Sequence, residues 1–103
     1  LCRMSFDRGA NTLHIKVDLF VKNRKRLVEA LRGKVPAKSV VLLQGGQDKC
    51  RYNTDSQDLP FRQESYFFWA FGVHESEVYG AIDVDSGKSI LFPPRLSPDF
   101  AIW

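Results

Sequence analysis

Histidine and cysteine are scarce in this chain: His14 and His74 are its only imidazoles, Cys2 and Cys50 its only thiols. A catalytic metal centre needs three or more converging His, Asp, Glu or Cys ligands, and neither histidine belongs to a His-Glu-x-x-His or comparable cluster. Glu75 and Glu77 beside His74 read as a solvated loop. The cysteines lie nearly half the chain apart without Cys-x-x-Cys spacing, which reads as two buried or free thiols in a reducing compartment, with a disulfide as the alternative. A hydrolytic triad lacks its context too, because no Gly-x-Ser-x-Gly elbow is present. Asp83 and Asp85 flank a turn that explains them. No convincing active site is visible.

Long apolar runs are also missing. Nothing approaches the roughly 18 residues that span a bilayer, and no Asn-x-Ser/Thr acceptor occurs, so a cytoplasmic protein without a membrane partner is expected. Charge of one sign is missing as well: 15 basic and 12 acidic residues leave a net charge of +3. That is a mixed surface rather than a polycation, and no nucleic-acid partner is expected from it.

What is present is a foldable composition, 44% hydrophobic, 26% charged and 13% aromatic. A chain of this size builds one modest core, burying roughly two-thirds of its unfolded surface. It starts at Leu1 and stops at Ala101-Ile102-Trp103, which reads as a single, truncated domain of something longer.

Along the chain, Leu13, Ile15 and Val17 alternate as a half-buried strand would. Asp18 then offers an N-cap for an amphipathic helix over 19–32, with Phe20, Leu27, Val28 and Leu31 at helical spacing and Gly33 as its stop. Lys22, Arg24, Lys25, Arg26 and Arg32 read as its solvated face, Lys25 pairing with Glu29 one turn on. The apolar run at 39–43 suits a strand covered on both faces. Gly45 and Gly46 follow it. A Gly-Gly pair there can bring amides to an anion, but neither a Walker nor a dinucleotide pattern supports that, and a plain turn is the simpler reading. Residues 47–60, with Asn53, Asp55, Ser56, Asp58 and Pro60, read as a surface loop. Residues 78–92 read as a hairpin stopped by Pro93 and Pro94.

The stretch from 60 to 72 holds six aromatics: Phe61, Tyr66, Phe67, Phe68, Trp69 and Phe71. An RNA-binding sheet presents alternate rings on one face, whereas four consecutive rings put aromatics on both faces of any element. Ser65 can cap a short helical turn that Gly72 stops. Phe61, Phe68 and Phe71 then fill the core, with Tyr66 and Trp69 at a boundary where their polar atoms stay wet. The expected architecture is α/β, a mixed sheet flanked by helices.

Several blocks stand in order across nearly the whole chain: 41–46 (VLLQGG), 51–55 (RYNTD), 61–65 (FRQES), 69–73 (WAFGV), Tyr79-Gly80, 82–85 (IDVD), 87–89 (GKS) and 94–96 (PRL). Together they resemble the N-terminal domain of the eukaryotic Xaa-Pro dipeptidases, or prolidases, within the aminopeptidase P N-terminal domain family of creatinase/prolidase-like folds. The resemblance implies that residues 1–103 are the non-catalytic domain of a manganese-dependent metallopeptidase that cleaves dipeptides with C-terminal proline. Two manganese ions belong to an absent pita-bread catalytic domain, so no catalytic or metal residue carries over to this chain, which alone is expected to be inactive. The implied partners are that catalytic domain, a proline-containing dipeptide and a second copy in a homodimer, where this domain restricts access to the active site. Trp103 matches a tryptophan that reaches the partner subunit's substrate pocket, and a ring suits a pyrrolidine. Phe61, Arg62, Gln63, Glu64, Ser65 and Trp69 form the family motif, in a structural or interface role. The alternative is a free-standing module, with the same fold, that binds a peptide, protein or nucleic acid.

Overall fold

A computed structural model describes residues 5–55 and 59–102. A two-residue ribbon, β1 (Ser5–Phe6) against β2 (Ile15–Lys16), leads into helix α1 (Asp18–Leu31). Strand β3 (Val40–Gln44), helix α2 (Ser65–Phe71), strands β4 (Tyr79–Asp83) and β5 (Ser89–Phe92), and a 3₁₀ turn (Pro98–Ile102) follow. The larger sheet runs β3-β4-β5, antiparallel throughout, so the α/β expectation stands. No helix among the described residues is long and apolar enough to cross a membrane.

Strand formation at 13–17 is more limited than the alternation predicts. Only Ile15 and Lys16 pair, Leu13 is exposed, and Val17 adopts the right-handed helical conformation at the N-cap of α1. Starting the helix there breaks the period of two. Asp18 therefore sits inside the first turn, where its charge suits the helix dipole, rather than capping it. Gly33 ends α1 as expected, at φ +79°, with the Lys34 amide donating to the Leu31 carbonyl. Lys25 and Glu29 form no ion pair among the described residues.

The register puts Val41 opposite Ile82 and Leu43 opposite Gly80. This face packs with Val28, Phe67, Ala70, Phe71 and Val78 into the core. Leu42, Ala81 and Ile90 align on the opposite face, beside Val40 and Phe92. Leu42 is 67% exposed there. The expectation of a strand covered on both faces is thus corrected: among the described residues, β3 is an edge strand covered on one. Its continuous apolar run reports that both faces call for cover, and both helices pack on the same side.

The hairpin stands as expected. The Asp83 carboxylate accepts the Asp85 amide at 2.9 Å and the Ser86 amide at 3.4 Å, and Gly87 takes φ +74°. The Asp85 amide first, then the Ser86 hydroxyl and amide, hold the Asp83 carboxyl below its ordinary pKa.

Candidate interaction site around the aromatic segment

Segment 61–65 shapes its surroundings through side-chain hydrogen bonds. Glu64, not Ser65, is the N-cap of α2: its carboxylate accepts the amides of Tyr66 at 3.0 Å and Phe67 at 2.7 Å. Ser65 is the first helical residue. Gly72, left-handed at φ +66°, closes the helix as its sequence position predicts.

The rings that turn inward also differ from the expected ones. Phe67 is fully buried and packs on Phe71 at 5.1 Å between centroids, with Ala70 beside them. Phe68 is 41% exposed and Phe61 half-buried, so the expected inner set of Phe61, Phe68 and Phe71 is corrected to Phe67, Ala70 and Phe71. The spacing 67, 70, 71 is one helical face. Tyr66 and Trp69 point outward, at 74% and 40% exposure, which fits their expected boundary place.

Gln63 bridges three segments. Its Oε1 accepts the Gly46 amide at 2.6 Å and the Glu64 amide at 3.0 Å, while Nε2 donates to the carbonyls of Val73 and Glu75, each at 2.9 Å. The Gly45 amide donates to the Val78 carbonyl. Both glycine amides are therefore occupied within the chain, so the pair is no anion cradle; nor is it the expected plain turn, for it runs on from β3 beside residues 77–78, with the Glu77 amide donating to the Gly46 carbonyl. A β-carbon at Gly46 would crowd Arg62, Phe61 and Gln63, so glycine here lets β3 approach the motif.

Helix α1 holds the other end of α2. Buried Asn23 donates to the Trp69 carbonyl at 2.9 Å, and Arg24 to the Ala70 carbonyl at 2.8 Å with its guanidinium 5.6 Å from the Phe71 ring centre. Desolvation pulls the Arg24 pKa below its ordinary value. Arg24 thus leaves the solvated face to which its sequence position assigns it. Only the polar Asn23, three residues after Phe20 on the apolar face, hints at this clamp.

An arc of rings passes through the buried Phe20 and out to the surface: Phe6, Phe20, Phe68, His74 and Phe61, neighbouring centroids 5.4 to 6.1 Å apart and edge to face. Beyond His74, exposed Glu75 and Glu77 form the expected solvated loop, Glu77 at φ +62°. Arg62 is exposed and makes no hydrogen bond or ion pair among the described residues. Cys50 is a free, exposed thiol. Trp103, Cys2, Ser56 and Asp58 lie outside the described residues. No three His, Cys, Asp or Glu side chains among the described residues could hold a metal ion. They do not fit a manganese pair.

Comparison with known proteins adds identity to this geometry. The family profile of the aminopeptidase P, N-terminal domain, matches residues 20–103. The Xaa-Pro dipeptidase of Mus musculus is 55% identical over 103 residues, covering 98% of this chain and 21% of its own length. That of Homo sapiens is 54% identical over 101 residues, 96% of this chain and 20% of its own length. A probable Xaa-Pro aminopeptidase of Fusarium vanettenii is 40% identical over 79 residues, 76% of this chain and 17% of its own length. The chain thus spans about a fifth of the length of the dipeptidases it matches.

Proposed function

Because this chain belongs to the aminopeptidase P N-terminal domain family, we propose that it serves as the non-catalytic first domain of a Xaa-Pro dipeptidase. The observation that carries this reading is the 55% identity with the mouse dipeptidase, sustained over 98% of the chain. Catalysis, with two manganese ions, falls to residues outside this chain. The domain's part is to build the homodimer and to restrict the active site to short peptides, with Trp103 covering the substrate proline from the partner subunit.

Surface chemistry supports an assembly role. Leu42, Ile90 and Phe92 on the open sheet face, and Tyr66 and Trp69 on α2, are large apolar groups left exposed, and contiguous patches of that kind are usually covered by a partner. In the motif, Gln63 and Glu64 act structurally by holding α2 and the 73–75 loop, while Arg62 is placed to meet another surface. The exposed thiol of Cys50 suits a reducing compartment, and we place the protein in the cytoplasm.

The test has two arms. Purified chain with manganese and Gly-Pro is expected to show no hydrolysis, and turnover would overturn the assignment of catalysis to residues outside it. In the full-length enzyme, Trp103→Ala is expected to raise KM for Gly-Pro on the order of tenfold with a smaller change in kcat, as loss of a binding contact does. An unchanged KM in an intact dimer would remove Trp103 from the pocket.

A further inference from the structure

A concavity of about 1010 Å³ opens between the 73–78 loop, the end of β5 and the 93–100 segment. Phe61, Val73, Leu91, Pro94, Leu96 and Phe100 make its walls largely apolar. Leu91, Leu96 and Phe100 are substantially exposed, so much hydrocarbon faces water here. The volume matches the upper end of small-molecule pockets, roughly 1,000 Å³.

The charged side chains around this groove are of one sign. Asp48, Glu75 and Glu77 line it together with the imidazole of His74, and no lysine or arginine does among the described residues, although the chain carries 15 basic residues against 12 acidic. An acidic rim over an apolar floor, on a protein of net charge +3, attracts cationic apolar groups and repels acidic ones.

The rim is also held in place. Gln63 ties down the carbonyls of Val73 and Glu75, the Glu77 amide donates to the Gly46 carbonyl, and the Ser76 hydroxyl donates to Asp48 at 2.8 Å. A loop anchored at these points loses little further freedom when something docks on it, which lowers the entropic cost of binding. A lone small cation would leave most of the apolar wall wet. A polypeptide segment covers that wall with its own apolar side chains while its cations stay at the half-hydrated rim.

We propose that this groove docks an extended peptide segment in which apolar residues alternate with lysine or arginine. The apolar anchors supply most of the affinity, and the rim carboxylates select against acidic sequences and speed association. This goes beyond the dipeptidase reading, and every residue invoked for the groove lies among the described residues.

The test uses the intact ¹⁵N-labelled protein and two mixtures of amidated hexapeptides. In one, Leu, Phe and Pro alternate with Lys or Arg; in the other, Asp or Glu takes the cationic positions. The basic mixture is expected to shift the amide signals of residues 73–78, Leu91 and Phe100 in a saturable way, and the acidic mixture to leave them unmoved. Glu75→Gln with Glu77→Gln should weaken that binding about tenfold, and Phe100→Ser should weaken it with the rim charges intact. Raising salt should weaken it further, because exposed ion pairs are screened. Equal response to both mixtures, no response to either, or binding unchanged in the Gln variants would overturn the proposal. So would sedimentation showing that a second copy fills the groove, through self-association that Phe100→Ser abolishes.

Discussion

Replacing Gln63 by Glu keeps the oxygen that receives the Gly46 amide and removes both donors to Val73 and Glu75. The variant is expected to lose about 2 kcal/mol in urea unfolding, since two carbonyls lose partners and a charge enters a half-buried position; a loss below a few tenths would contradict the bridging role. Gly80→Ala tests the core more directly, because a β-carbon there would meet the Phe71 ring. A destabilisation of about 1–3 kcal/mol is expected from such overpacking. His14 gives a pH-dependent term instead. Asp7, hydrogen-bonded to Nδ1 at 2.9 Å, and the Ala10 carbonyl at Nε2 raise its pKa above the ordinary value. Its contribution to stability is therefore present below about pH 6.5, the unfolded value, and is lost as pH rises through the higher folded value. An NMR titration of the imidazole should place its midpoint above 6.5, and Asp7→Asn should bring it back down. Asp83 behaves oppositely: its contribution is present above the unfolded carboxyl value and is lost as pH falls through the lower folded one.

At the scale of elements, α2 depends on what flanks it, because a seven-residue helix is too short to be stable alone. Glu64 caps its first turn, Gly72 ends its last, and Asn23 and Arg24 from α1 bind carbonyls near its end. Asn23→Ala should cost about 1–2 kcal/mol, as the Trp69 carbonyl loses its donor beside a buried site. Glu64→Ala should cost about 1 kcal/mol, the usual effect of losing a helix cap. Circular dichroism melts of the two variants check both values. The end of α2 was legible in the sequence from Gly72, and its start only to within one residue, from Ser65. Choosing Glu64 over Ser65 was not, since both side chains can accept amides and the choice depends on Gln63 being pinned next door. Which rings face the core follows from how α2 sits against α1 and the sheet, so Phe67 turns inward and Phe68 outward whichever residue caps the helix.

At the scale of the whole molecule, the sheet has one covered face and, among the described residues, one open one. Leu42 and Ile90 lie opposite one another through Ala81 on the open face. The isolated chain should accordingly bind an apolar dye such as ANS while folded, and Leu42→Lys with Ile90→Lys should reduce that fluorescence several-fold without a large change in melting temperature, since both sites are already solvated. Dye binding that survives both substitutions would locate the apolar surface elsewhere, with the groove beside Phe100 as the next place to look.

The sequence by itself determined the element types: the period of α1, the apolar run of β3, the turn residues of the hairpin and the prolines that end β5 are local signals carried by neighbouring residues. It also carried the family motif, whose order along the chain needs no coordinates. Tertiary structure alone decided which partners those elements meet. Leu42 and Leu43 are the same residue type in one strand, yet only Leu43 packs against the core, because both helices lie on its side of the sheet. Arg24 and Lys25 are adjacent cations, yet only Arg24 reaches a carbonyl 46 positions away. Such contacts join residues far apart in the chain, and no local pattern specifies them.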